Sequence, residues 1–155
     1  MVYSKEEQRA WSRALRYLST RPRSEAEMEK YLLANHSGEV VAKTIDLLKL
    51  EDLVNDVSFA ELWVRSRMEN RPRSAALIRK ELAMKGIGSS ISNEFTAELD
   101  DLENAYILVA EKLSKSTFAS YGELYAKAKR YLLGKGFAYS VISSTTQRYW
   151  SEIRD

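Results

Sequence analysis

The sequence predicts an all-α chain of three tandem three-helix repeats, about nine helices in an elongated, curved array. Three observations carry this. Only two prolines and six glycines interrupt 155 residues, so long helices meet few breakers. A register of 50 residues maps the chain onto itself without a gap, the mark of a repeat architecture. Apolar residues recur at helical spacing, and no stretch shows sustained period-two alternation with hairpin turn chemistry.

The repeat is most visible at Arg21-Pro22-Arg23-Ser24, which returns as Arg71-Pro72-Arg73-Ser74. In the same register Ala10 matches Ala60, Ala26 matches Ala76, Lys30 matches Lys80, Leu32 matches Leu82 and Gly38 matches Gly88. These are nine identities where ordinary composition gives about two by chance. A third copy follows more weakly: Ala60-Glu61 matches Ala110-Glu111, Leu82 matches Leu132, and Lys85-Gly86 matches Lys135-Gly136. It has Tyr121-Gly122-Glu123-Leu124 in place of the proline motif. The repeats divide at 1–54, 55–101 and 102–155. A unit this small has a thin core, so each should lean on its neighbour and present a long surface to a large partner.

Taken in order, Trp11, Leu15 and Leu18 mark the first helix, at i, i+4 and i+7. Pro22 ends it, because the residue before proline disfavours helical geometry. Ser24 caps the second helix and Glu27 completes a capping box; Met28 and Leu32 are its apolar stripe. After a turn at Ser37-Gly38, Val41, Ile45 and Leu48 define the third. Asn55-Asp56 offers an N-cap before Phe59 and Trp63. Ser74 caps the helix of Ile78 and Leu82, and Gly86 suits the left-handed position after it. Ser89 or Ser90 opens the helix of Ile91, Phe95 and Leu99. Tyr106, Val109 and Leu113 come next, then Leu124, Ala128 and Leu132, closed by Gly134 or Gly136. Val141 and Ile142 begin the last helix, which runs towards Trp150.

Composition narrows the function. Without cysteine there is no disulfide, thiolate metal site or thiol nucleophile. The single histidine, His36, is expected as an exposed residue at a helix C-terminus, and zinc sites of the usual ligands lie out of reach. No Walker loop, nucleophile elbow or dinucleotide fingerprint occurs. The expectation is a binding protein with no cofactor and no catalytic residues. No apolar run approaches the roughly 20 residues that span a bilayer, and the first residues lack a signal peptide's apolar centre. The chain reads as cytoplasmic, monomeric and without a membrane partner.

Net charge is +2, too small for a global basic field, but the charges segregate. Residues 9–23 hold five arginines and no acid; 65–85 hold seven basic residues against two acids; 112–135 hold six against one. Acids gather at Glu94, Glu98, Asp100, Asp101 and Glu103. Each Arg-Pro-Arg-Ser motif has a structural reading, in which proline breaks one helix, serine caps the next and the arginines stay in water. The recurrence of both arginines leaves a second reading open, since guanidinium forks bind carboxylate and phosphate. The partner-binding candidates are Arg21, Arg23, Arg65, Arg67, Arg71, Arg73, Lys85 and Lys135. An alternative function is a tandem helix-turn-helix-like DNA-binding protein, against which stand the few basic residues in Val40–Leu50 and Ile91–Leu99.

The motifs also resemble a known family. The run from Leu50 through Asn55-Asp56, Phe59-Ala60, Trp63 and Arg65-Ser66-Arg67 is similar to the central signature of the RecX family of bacterial recombination regulators. Ala14-Leu15-Arg16-Tyr17-Leu18 with Arg21-Pro22-Arg23-Ser24 resembles that family's opening motif. Glu81-Leu82 with Lys85-Gly86-Ile87 looks like a further element, and Leu132 with Gly136-Phe137 like its third-repeat counterpart. The likeness covers about residues 9–150. It implies three three-helix repeats. It further implies binding of the RecA recombinase in the groove of its filament on DNA, and inhibition of strand exchange, ATP hydrolysis and co-protease activity, with effects on recombination and the SOS response. The basic candidates would then meet RecA or DNA.

Overall fold

The computed structural model of the chain describes residues 2–155. Among the described residues there are nine α-helices and no strand: α1 (Lys5–Leu18), α2 (Glu25–Leu33), α3 (Gly38–Leu50), α4 (Asp56–Asn70), α5 (Ala75–Met84), α6 (Ser89–Thr96), α7 (Asp101–Lys112), α8 (Tyr121–Gly134) and α9 (Tyr139–Arg154). They form three tandem three-helix domains. None of these helices is long and apolar enough to cross a membrane.

Short polar residues set most of the helix starts, each accepting a hydrogen bond from one otherwise unpaired backbone N–H. Ser4, Ser37, Asp100 and Ser120 do so for α1, α3, α7 and α8. Ser24 and Glu27 form the expected reciprocal capping box at α2. Asn55 accepts from the Ser58 N–H at 3.1 Å, and Ser74 from the Leu77 N–H at 3.0 Å. α9 opens at Ala138 without a side-chain cap.

The chain is compact in two units. The first runs through Trp63 and adds Leu82–Ser92; the second comprises Val64–Glu81 and Asn93–Asp155. In the first unit α1, α2 and α3 pack on one another around Ala14, Met28, Leu32, Val41, Ile45, Leu48 and Val54. In the second α7, α8 and α9 do the same, around a core that includes Leu108, Val109, Leu124, Ala128, Leu132 and Ile142. The middle repeat has no unit to itself. Its buried Phe59, Ala60, Leu82 and Ile87 belong to the first, and its buried Val64, Ala75 and Ile78 to the second.

Three expectations change at the level of single side chains. Leu15 is 40 % exposed, and α1 instead buries Ala10 and Ala14 completely; small residues let its backbone approach α2 and α3 closely. In α6, Ser92 and Thr96 are buried while Ile91 and Phe95 are only half-buried, and Thr96 receives the Arg79 guanidinium at 3.1 Å. His36 is not exposed: its side chain is 5 % accessible. The Glu6 carboxylate accepts from the Ser37 N–H at 3.3 Å and stands 3.7 Å from His36 Nδ1. Both ring nitrogens lack a hydrogen-bond partner.

Two repeat joints as the candidate partner interface

The Arg-Pro-Arg-Ser motif of one repeat meets the Lys-Gly turn of the next, and it does so twice. In the first joint the Ser24 hydroxyl donates to the Lys85 carbonyl at 2.6 Å. Gly86 follows with φ +79°, and a Cβ there would stand 2.2 Å from that of Ala26. In the second joint, 50 residues on, the Ser74 N–H donates to the Lys135 carbonyl at 3.0 Å. Gly136 has φ +85°, and a Cβ there would stand 2.6 Å from both the Leu77 Cβ and the Ser74 Oγ. An acid at the start of α4 or α7 completes each joint. Asp56 accepts from the Glu25 N–H at 2.9 Å and Asp101 from the Ala75 N–H at 3.0 Å. α2 and α5 thus each start with a local cap and a second one from α4 or α7, respectively.

The charges at the two joints differ. In the first, Glu27 gathers them. Its carboxylate takes two bonds from the Arg21 guanidinium, at 3.2 and 2.6 Å, one from the Ser24 N–H at 3.1 Å and one from Lys85 Nζ at 3.3 Å. Burial pushes this carboxyl up, but the Arg21 and Ser24 hydrogen bonds and the charges of Arg21 and Lys85 outweigh it and hold it at about 2. The same pair raises Arg21. Arg23 lies folded back: its guanidinium donates to the Tyr17 carbonyl at 3.1 Å and to the Thr20 hydroxyl at 2.9 Å, and sits 3.8 Å above the Tyr17 ring. Tyr17 in turn stacks on Tyr31, with centroids 3.9 Å apart.

At the second joint the position of Glu27 is taken by Leu77. Arg73 turns to Glu81 at 2.5 Å, and Arg67 reaches the other oxygen of that carboxylate at 3.1 Å. Lys135 has no acid there. Burial lowers its ammonium below the usual lysine value, and the charges of Arg73, Arg71 and Lys112 lower it further. Lys112 and Lys135 both hang over the Tyr131 ring, 5.4 and 5.8 Å from its centroid. Burial, with the charge of Glu111, raises the Tyr131 phenol.

The eight basic candidates therefore separate. Arg21 and Lys85 share one carboxylate, Arg67 and Arg73 share another, and Arg23 caps a tyrosine stack. Arg65 is exposed on α4, Arg71 is exposed at the start of the second joint, and Lys135 is half-buried within it. Lys112 joins this last group although the sequence did not single it out. The only signal was its place in the basic block 112–135, which does not tell that the end of α7 meets the end of α8. Chemically, the joints offer cations and shallow relief. A cleft of about 650 Å³ beside the first is lined by Tyr17, Lys30, Tyr31, Met84 and Lys85 among others. Among the described residues no group of three or more histidines and carboxylates could hold a metal ion.

Known proteins share this architecture. Three family models match in order: RecX, first three-helix domain, over residues 10–48; RecX, second three-helix domain, over 55–94; and RecX, third three-helix domain, over 99–145. Regulatory protein RecX of Oceanobacillus iheyensis is 32 % identical over 145 residues, which are 90 % of this chain and 53 % of that protein. Regulatory protein RecX of Bacillus cytotoxicus is 30 % identical over 146 residues, 92 % of this chain and 54 % of that one. The chain thus spans about half the length of these curated relatives. The crystal structure of RecX from Lactobacillus salivarius superposes with a TM-score of 0.81 at 27 % identity, covering 94 % of this chain and 97 % of that one.

Proposed function

The chain belongs to the RecX family, and from that premise we propose that it is a cytoplasmic, monomeric regulator that binds the RecA filament. It lowers RecA's recombinase, ATPase and co-protease activities and so tempers recombination and the SOS response. The observation that carries this reading is the ordered match of all three helical domains, joined by two Ser–Lys-Gly joints of one design.

Physically, a row of similar domains engages a polymeric partner through several modest contacts, each raising the effective concentration of the next. The basic residues at the joints and the acids around Glu94–Glu103 supply charge for both signs of partner surface. No catalytic group is required, because a bound regulator acts by favouring one state of the filament over another.

The test is ATP hydrolysis by RecA on single-stranded DNA, titrated with this protein. Hydrolysis falls with rising concentration if the proposal holds; an unchanged rate at a molar excess sinks it. The tandem helix-turn-helix alternative expects tight, sequence-specific DNA binding without RecA. Against it, α6 carries no basic residue at all.

A further inference from the structure

Ser4 and Glu7 stand three residues apart at the start of α1, as Ser24 and Glu27 do at the start of α2. The second pair closes a reciprocal capping box. The Glu7 carboxylate turns instead to Lys43, whose Nζ reaches one oxygen at 3.3 Å. Its other oxygen, Oε2, is buried and has no hydrogen-bond partner. Fifty and a hundred residues on, the same register position holds Val57 and Ile107, so the repeat does not call for a carboxylate there. We propose that the cleft between α1 and α3, which Glu7 lines, is a docking site for an arginine-bearing segment of a partner protein.

The cleft has a volume of about 480 Å³ and lies within the first compact unit, in the size range of small-ligand sites. Tyr3 and Trp11 supply aromatic surface, Leu47 an apolar wall, and Glu7 and Glu51 the negative charge. Gln8 fixes the Tyr3 end by donating to the Tyr3 carbonyl at 3.0 Å. Buried Thr44 directs its hydroxyl to the Val40 carbonyl at 2.8 Å, so it gives Glu7 no donor. The charges in the lining are two acids against one lysine. Lys5, Arg9, Arg13 and Arg16 lie around a neighbouring groove. An aromatic face beside a carboxylate is an environment that attracts a cation.

Lys43 shows what an ammonium does here. It is a point charge on a side chain that is 56 % exposed, and it satisfies one oxygen of the two. A guanidinium presents a planar fork that meets both oxygens of a carboxylate and stacks on an indole ring. Entering the cleft, it would displace the exposed Lys43 side chain and bring the donor that Oε2 lacks. A buried acceptor without a partner is unfavourable, so that bond counts in full. One side chain does not fill the site. Lys43, Leu47 and Glu51 follow at i, i+4 and i+8 along α3 and its cap, about 12 Å at 1.5 Å per residue. Glu51, without an ion pair among the described residues, suits a second basic residue of the same segment. None of this depends on RecA.

The experiment follows the indole N–H signals of the three tryptophans by two-dimensional NMR of the full chain. A synthetic hexapeptide with two arginines is added at constant ionic strength. The Trp11 signal should move saturably while those of Trp63 and Trp150 stay in place. The same peptide with citrulline for arginine, neutral but of like shape, should bind about tenfold more weakly or worse, and one with lysine for arginine should also bind more weakly. Glu7→Gln should weaken binding by about tenfold or more. Glu69→Gln, an equal change of charge at an exposed position of α4, should alter it by less than about threefold. Lys43→Met removes the internal competitor and should tighten binding by about threefold or more, a gain that misfolding cannot produce. The proposal is overturned by an unmoved Trp11 signal, by equal affinity for the citrulline or lysine peptide, by undiminished binding in Glu7→Gln, by an equal loss in Glu69→Gln, or by no gain in Lys43→Met. Spermidine that competes as well as the peptide at equal charge concentration would also overturn it and assign the cleft to a polyamine. Because RecA is absent, failure here leaves the RecA reading standing, and failure of RecA inhibition leaves this one standing.

Discussion

A methyl group added to Gly86 would lie 2.2 Å from the Ala26 Cβ, and one added to Gly136 would lie 2.6 Å from the Leu77 Cβ. Both glycines also have positive φ, which costs an L-residue about 1–2 kcal/mol, and overpacking adds about 1–3 kcal/mol. Gly86→Ala and Gly136→Ala should therefore each lose about 2–5 kcal/mol in urea denaturation. Gly38→Ala, with nothing within 4 Å of its added Cβ, should change stability by less than about 1 kcal/mol in either direction. Glu27 gives a prediction in pH. Its carboxyl is held at about 2, below the ordinary 4.5, so its contribution is complete above pH 4.5 and disappears as pH falls through 2. Glu27→Gln should cost roughly 1–3 kcal/mol at pH 7, and the gap between the two proteins should narrow steadily below pH 4. The left-handed turn at Gly86 and the capping role of Glu27 were legible in the sequence. The collision with Ala26 and the arrival of Lys85 at Glu27 were not, because both bring together residues about 60 positions apart.

At the scale of the helix, α2 and α5 begin under double control. Ser24 and Ser74 cap them locally, and Asp56 and Asp101 reach back from the starts of α4 and α7 to the Glu25 and Ala75 N–H groups. Asp56→Ala and Asp101→Ala should each cost about 1 kcal/mol, the usual value of a lost N-cap. The local consequence is more telling: the amide protons of Glu25 and Ala75, respectively, should exchange faster, while those deep in α4 and α7 keep their protection. Local caps could be read from the chain because they lie within three residues of the N–H groups that donate to them. The reach-back caps could not, since Asp56 and Asp101 look like ordinary first-turn acids of their own helices. Within α1, Trp11 and Leu18 pack on the core as the spacing predicts, but Leu15 does not, for a related reason. Periodicity finds a face, but Leu15 and Ala14 lie on adjoining faces, and only close packing against α2 and α3 chooses the small one.

At the scale of the whole molecule, binding of a filament through several charged contacts implies a dependence on salt. If the protein inhibits RecA as proposed, raising salt from about 50 to 200 mM should shift the inhibition curve to higher protein concentration by tenfold or more. A curve that does not move would mean that the basic and acidic blocks take no part. The 50-residue period, the helical spacing and the capping residues by themselves determined the fold class and the number of helices, because each depends on neighbours along the chain or on matching positions in successive repeats; the family came from the resemblance of the motif runs around residues 21–24, 50–67 and 81–87. Tertiary structure alone decided how the basic residues divide. Arg21, Arg23, Arg67, Arg73 and Lys85 are held by groups of this chain, while among the described residues Arg71, Lys112 and Lys135 form no ion pair. Charge in a sequence is only an inventory; whether a cation is neutralised depends on which side chains folding brings within a few ångströms of it.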